Sequence, residues 1–97
     1  VIGMVNDKDI RGVLSMLPKY AIYYFTKASV SRALNENDLH QLAQEFGLNG
    51  TIHPDVKSAT ENALRHADKN DLIFVGGSSF IVADFLTDSN IILKSNP

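Results

Sequence analysis

Cysteine is absent from the 97 residues, which excludes a disulfide scaffold and any thiolate metal site and fits a cytoplasmic protein. A basic tract is missing too: nine Lys and Arg against eleven Asp and Glu leave a net charge of −2, with no acidic tail. The chain therefore offers no electrostatic footprint for nucleic acid. No apolar run approaches the ~18 residues that cross a membrane, and no signal peptide is visible. There is no initiator methionine, and the first residues, Val1-Ile2-Gly3-Met4-Val5, already read as a strand, so a piece of a longer protein is expected. Repeats and low-complexity tracts are lacking, which leaves one domain, able to bury about 60–65% of its unfolded surface.

Catalytic signatures are equally scarce. The absence of Gly-x-x-x-x-Gly-Lys-Ser/Thr means that the chain cannot cradle a triphosphate as a P-loop does, and Gly-x-Gly-x-x-Gly is missing as well. His40, His53 and His66 share no ligand spacing, so they read as surface or half-buried histidines rather than a metal site. Neither Ser78 nor Ser79 lies in Gly-x-Ser-x-Gly. No catalytic residue and no general base stands out.

The residues that are present centre on Asp71 to Leu86. Leu72 to Val75 is an apolar run without polar alternation, expected to be a central parallel strand covered on both faces. Gly76 and Gly77 permit a tight turn, Ser78 or Ser79 can cap a helix, and Phe80 to Leu86 has the apolar density of a buried one. In open α/β sheets ligands bind beyond the carboxyl ends of strands, where a helix N-terminus offers free N–H groups to an anion. The loop from Gly76 to Ser79 is thus the leading candidate site, against the plainer reading of a tight turn alone.

Elsewhere strands and helices alternate. Val1 to Val5 reads as a strand; Asn6-Asp7 then caps a helix with Ile10, Val13, Leu14 and Leu17 on one face, ended by Pro18. Tyr20 to Thr26 reads as a second interior strand, bulky on both faces. Lys27 to Asn35 is a long loop, and Asn35 or Asn37 caps a helix bearing Leu39, Leu42, Ala43 and Phe46, closed by Gly47. Thr51 to His53 is a short strand candidate; Pro54-Asp55 introduces a helix with Val56, Ala59, Ala63 and Ala67 on one face. Residues 91–93 suggest a short edge strand. This order predicts an α/β fold of three layers, α/β/α, around a mostly parallel, Rossmann-like sheet, with Val1 to Val5, Ala21 to Phe25 and Leu72 to Val75 as neighbouring parallel strands.

Two further spots lie at the same strand ends. Asp7-Lys8-Asp9 opens the first helix; a capped, acidic first turn explains the aspartates, but a lysine opposes the helix dipole there and hints at a bound anion. Arg32, in the long loop, can grip a carboxylate bidentately, or can be a solvated loop cation.

Taken together, Gly3-Met4-x-x-Asp7-Lys8-Asp9, then Tyr-Tyr-Phe-Thr followed by Ser31-Arg32-Ala33-Leu34, then Asp71-Leu-Ile-Phe-Val-Gly-Gly-Ser78 resemble the C-terminal domain of folylpolyglutamate synthase/dihydrofolate synthase, of the Mur ligase superfamily. The resemblance covers nearly the whole chain and leaves only the tail from Thr87 onward outside it. It implies a partial C-terminal domain of a multidomain ligase that joins L-glutamate to folate or dihydropteroate, using ATP and magnesium held mainly by a central P-loop domain and passing through an acyl phosphate. By the same resemblance Ser78, after Gly76-Gly77, hydrogen-bonds the glutamate, Arg32 holds the amino-acid carboxylate, and Asp7 with Lys8 stands near the ATP phosphates. The family's Asp-x-Ala-His-Asn-Pro segment, which opens this domain, does not occur here. That departure implies missing strands and an exposed sheet edge able to pair with another copy. The competing reading is a non-catalytic α/β ligand-binding or regulatory module, favoured by the lack of a complete catalytic set.

Overall fold

The computed structural model describes residues 1–6 and 9–87 and has an α/β architecture with four helices and a small parallel sheet. The predicted edge strand at 91–93 lies outside the described residues. So do Asp7 and Lys8.

Side-chain capping sets the helix starts. α1 (Ile10–Met16) begins later than Asn6-Asp7 suggested, because Asp9 is the cap: its carboxylate accepts the Gly12 N–H at 3.1 Å. α2 (Glu36–Glu45) starts at Asn35, whose side chain accepts from Asn37 and Asp38. Its end is a Schellman turn: the Gly47 N–H reaches the Gln44 carbonyl and the Leu48 N–H the Ala43 carbonyl, each at 3.1 Å, with Gly47 at φ +76°. Leu48 then drops into the core, fully buried. α3 (Val56–His66) is capped by Asp55 on the Ser58 N–H at 2.7 Å. α4 spans Ser79–Thr87.

β1 (Tyr23–Phe25) and β2 (Gly50–Ile52) pair in parallel, Tyr23 opposite Gly50 and Phe25 opposite Ile52. The opening segment joins through single parallel bridges from Ile2 to Phe25 and from Ile2 to Gly76. Four backbone bonds carry those bridges: Ile2 N–H to Tyr24 C=O, Thr26 N–H to Ile2 C=O, Gly3 N–H to Gly76 C=O and Gly76 N–H to Val1 C=O, at 2.9–3.3 Å. Neighbours across the molecule therefore run β2, β1, Ile2, Gly76. Val5 pairs antiparallel with Ala33 in the long loop, outside the three expected neighbours.

Successive residues of β1 serve different helices. Tyr23 and Phe25 stack ring on ring at 5.7 Å and pack with Ile2, Met4, Leu14, Leu39, Ala43 and Leu48, the α1 and α2 side. Tyr24 packs instead with Val1 and with Ala59 and Ala63 of α3, where small side chains allow close approach. Ile81 of α4 is fully buried with Val56 and Ala28.

Burial corrects the sequence expectation for two runs. Leu72 is 93% exposed and Phe74 66%, while Ile73 and Val75 pack toward α3. In the other run Ile22 is 76% exposed. Extended chain turns alternate side chains to opposite faces, and among the described residues only one face of 72–75 meets a helix.

Candidate functional site

The carboxyl ends of the bridged segments lie side by side. Thr26 follows β1 with its N–H on the Ile2 carbonyl, and Gly3 bonds back to Gly76. Contact between Gly3 and Gly77 is closer than a side chain permits: at φ +104°, a β-carbon on Gly77 would strike the Gly3 carbonyl. A β-carbon on Gly3 would in turn meet Ile81, so the start of α4 rests directly on the first segment.

Ser78 is the cap of α4. Its Oγ accepts the Ile81 N–H at 3.3 Å, and the residue is only 7% exposed. This bond uses an oxygen lone pair and leaves the hydroxyl proton available to an acceptor. The N–H groups of Ser79 and Phe80, in the first turn, have no carbonyl of their own helix to bond.

Arg32 reaches this place from the long loop. Its carbonyl accepts the Asn6 N–H at 2.9 Å, the Leu34 N–H bonds the Met4 carbonyl at 2.8 Å, and its guanidinium lies 5.7 Å from the centre of the Phe80 ring. Arg32 therefore stands against the residue two positions beyond Ser78. The bond from Asn6 ties it to the residue that immediately precedes Asp7-Lys8. The structure thus brings together Arg32 and the helix that Gly76, Gly77 and Ser78 introduce.

Three features of the region escaped the sequence reading. Phe80, 37% exposed, is a platform for the guanidinium rather than a core residue. Asp84 accepts both the N–H and the hydroxyl of Ser29, at 2.8 and 3.0 Å; its signal was available, as the one charged residue in Ser79–Thr87. Thr26 Oγ1 and Glu36 Oε1 are buried oxygens without a partner among the described residues, which native structures rarely leave. No periodicity announces that.

The histidines occupy separate settings. His40 meets Phe25 edge-on, His66 Nδ1 contacts the Asn62 carbonyl at 2.8 Å, and His53 Nε2 contacts Thr51 Oγ1 at 2.7 Å. Burial lowers the pKa of His53 and favours its neutral ring. A groove of about 600 Å³, lined by Val1, Leu17, Tyr20, Ile22, Leu72 and Phe74, opens at the amino ends of the same segments, away from Ser78 and Arg32. No helix among the described residues is long and apolar enough to cross a membrane.

An arginine on an aromatic ring beside a capped helix start, at the carboxyl end of parallel-bridged segments, is chemistry for a small anion or carboxylate. Among curated proteins the chain is similar to the dihydrofolate synthase/folylpolyglutamate synthase of Buchnera aphidicola, 30% identical over 88 residues. The match takes in 90% of this chain and supports a relation to that family. The chain spans about a fifth of the length of that relative, 21%. No family model matches the chain, and no solved structure does.

Proposed function

We propose that the chain is part of the C-terminal domain of an ATP-dependent ligase that adds L-glutamate to folate, and that its α/β core belongs to a larger three-layer, mostly parallel sheet. The observation that carries this reading is the match along 90% of the chain to a synthase of that name. The lateral order β2, β1, Ile2, Gly76, all parallel, and the different helices met by Tyr23 and Tyr24 support the layered sheet.

In this reading Arg32 takes a carboxylate of the incoming glutamate, its plane fixed against Phe80. The Ser78 hydroxyl donates to the same amino acid while the oxygen holds the Ile81 N–H. Fixing the carboxylates orients the amine, which is worth more to amide formation than any single contact. The family resemblance assigns Lys8 and Asp7 to the neighbourhood of the nucleotide phosphates. ATP supplies the phosphoryl group that activates the folate carboxylate. Among the described residues no group of three or more His, Cys, Asp or Glu side chains is placed to hold a metal ion, and this reading assigns magnesium to the remainder of the protein.

The 97-residue chain alone is therefore expected to show no glutamate-dependent release of ADP, since it has no P-loop. Release above that of a Ser78→Ala control would overturn the assignment of nucleotide chemistry to another domain.

The exposed Leu72 and Phe74 precede Gly76, the outer edge of the strand order among the described residues, beside Tyr20 and Ile22. In the isolated chain this edge favours pairing between copies. Sedimentation equilibrium should show concentration-dependent dimers that Phe74→Lys weakens by about tenfold or more, a lysine being a natural edge blocker. A strict monomer at millimolar concentration would remove the edge from consideration.

A further inference from the structure

The loop from Lys27 to Asn35 has no helix or named strand, yet it is fastened on two sides. Toward the first segment it holds Asn6 through the Arg32 carbonyl and Met4 through the Leu34 N–H. Toward α4 it is held by one carboxylate, Asp84, which takes the Ser29 N–H on Oδ2 at 2.8 Å and the Ser29 hydroxyl on Oδ1 at 3.0 Å. Beneath that tie Ala28, only 3% exposed, and Val30 pack with Ile81, Val56, Val75 and Phe85.

A carboxylate with both oxygens engaged by one residue fixes orientation as well as distance, and a charged acceptor strengthens both bonds. The tie is also placed where it counts. Asp84 lies one helical turn after Phe80, so both are on the same face of α4, and Ser29 precedes Arg32 by three residues. Fastening Ser29 to Asp84 therefore sets the spacing between the Arg32 segment and the Phe80 ring. Nothing about core stability requires this charge: Ser29 is exposed and Asp84 half-buried, at the rim of an otherwise apolar helix contact.

We infer that Asp84, acting through Ser29, is a positioning residue that holds the Arg32 guanidinium over Phe80 and so tunes the grip of the strand-end site on a carboxylate. The inference rests on the glutamate reading of Arg32 for its functional half and on geometry alone for its structural half. The carboxylate neither touches substrate nor moves a proton; its effect passes entirely through Arg32.

Two measurements separate the halves. In the 97-residue chain, Asp84→Asn keeps the side-chain shape and removes the charge and one acceptor. NMR should show the Arg32 side-chain resonances losing the ring-current shift from Phe80 and the Ser29 amide exchanging about tenfold faster or more, with the melting midpoint little changed. Ser29→Thr, which retains both donors, should keep the shift, and Ser29→Ala, which retains one, should lose part of it. Unchanged Arg32 resonances in Asp84→Asn overturn the tie itself.

In the complete ligase, Asp84→Asn should raise the KM for glutamate by about tenfold, a coupling of the size that contacting groups show, and leave the KM for ATP in place. Made in an Arg32→Ala background, the same change should add less than about twofold, because its path is already cut. A full tenfold effect that persists without Arg32 overturns the positioning role. If Arg32→Ala alone leaves the glutamate KM unmoved, the glutamate reading of the site fails, while the NMR result still decides the tie.

Discussion

Gly77→Ala is expected to cost roughly 2–4 kcal/mol and to lower the melting midpoint of the chain by about 10–20 °C. Two penalties combine. At φ +104° an L side chain is strained whatever the space around it, a cost on the order of 1–3 kcal/mol. The space is also occupied: the new β-carbon would run into the Gly3 carbonyl and lie 3.0 Å from Ile2 Cγ1. Neither neighbour is a flexible tip, since Gly3 donates to Gly76 and Ile2 bridges Phe25 and Gly76 at once. Relief would have to separate the two segments and lift α4 away.

Two controls make the result readable. Gly47 also has a positive φ, +76°, but a β-carbon there meets only the Lys19 side chain, at 3.5 Å and beyond. Gly47→Ala should cost about 1 kcal/mol, the left-handed penalty alone. Gly76 has no positive φ, and its β-carbon would press the ring of Phe74, an exposed side chain free to swing aside. Gly76→Ala should fall well below Gly77→Ala. Equal losses at Gly77 and Gly47 in thermal melts would mean that the close approach to Gly3 contributes nothing.

That contrast marks how far the sequence alone reached. Two adjacent glycines announce a tight turn, but which one is irreplaceable depends on Gly3, seventy-odd residues away, and no local pattern carries that. Helices were the legible part. Asn35, Asp55 and Gly47 fall where their chemistry caps or closes a helix, because a cap is a bond to a backbone group two or three residues distant. Asp9 displaced Asn6-Asp7 by the same rule, being the acid next to the first periodic apolar residue. Strands were less legible. A run such as Leu72 to Val75 states that both faces are fit to be covered, whereas cover is supplied by other segments; Ile73 and Val75 have it and Leu72 and Phe74 do not. Of the candidate site the assembly was the illegible part: Arg32 was singled out from its own chemistry and Ser78 from its place after Gly76-Gly77 and from the family resemblance, whereas Phe80 and Asp84, which place the Arg32 loop against α4, looked like members of a buried helix.

If the proposed glutamate-ligase reading holds, Ser78→Ala in the complete protein is expected to raise the KM for glutamate roughly 10- to 150-fold, the range set by losing about 1.5–3 kcal/mol of hydrogen bonding to a charged group. The structure adds a second consequence. Because Ser78 Oγ accepts the Ile81 N–H, the same substitution should also cost about 1 kcal/mol of stability as a lost helix cap. A single alanine variant therefore confounds two roles. Ser78→Gly separates them: glycine is a tolerable cap, costing only a few tenths of a kcal/mol, yet has no hydroxyl to donate. Its melting midpoint should stay close to that of the parent while its glutamate KM rises as far as that of the alanine variant. Ser78→Asp pushes further in the same direction, since a carboxylate caps α4 well and repels another carboxylate at close range. It should melt at or above the parent temperature and bind glutamate worst of the three. The ATP KM should move little in any of them, because the substituted hydroxyl is assigned to the amino acid. Should Ser78→Gly melt normally and turn over glutamate with an unchanged KM, Ser78 serves the helix alone, and the carboxylate contacts must come from Arg32 and the first-turn N–H groups of α4.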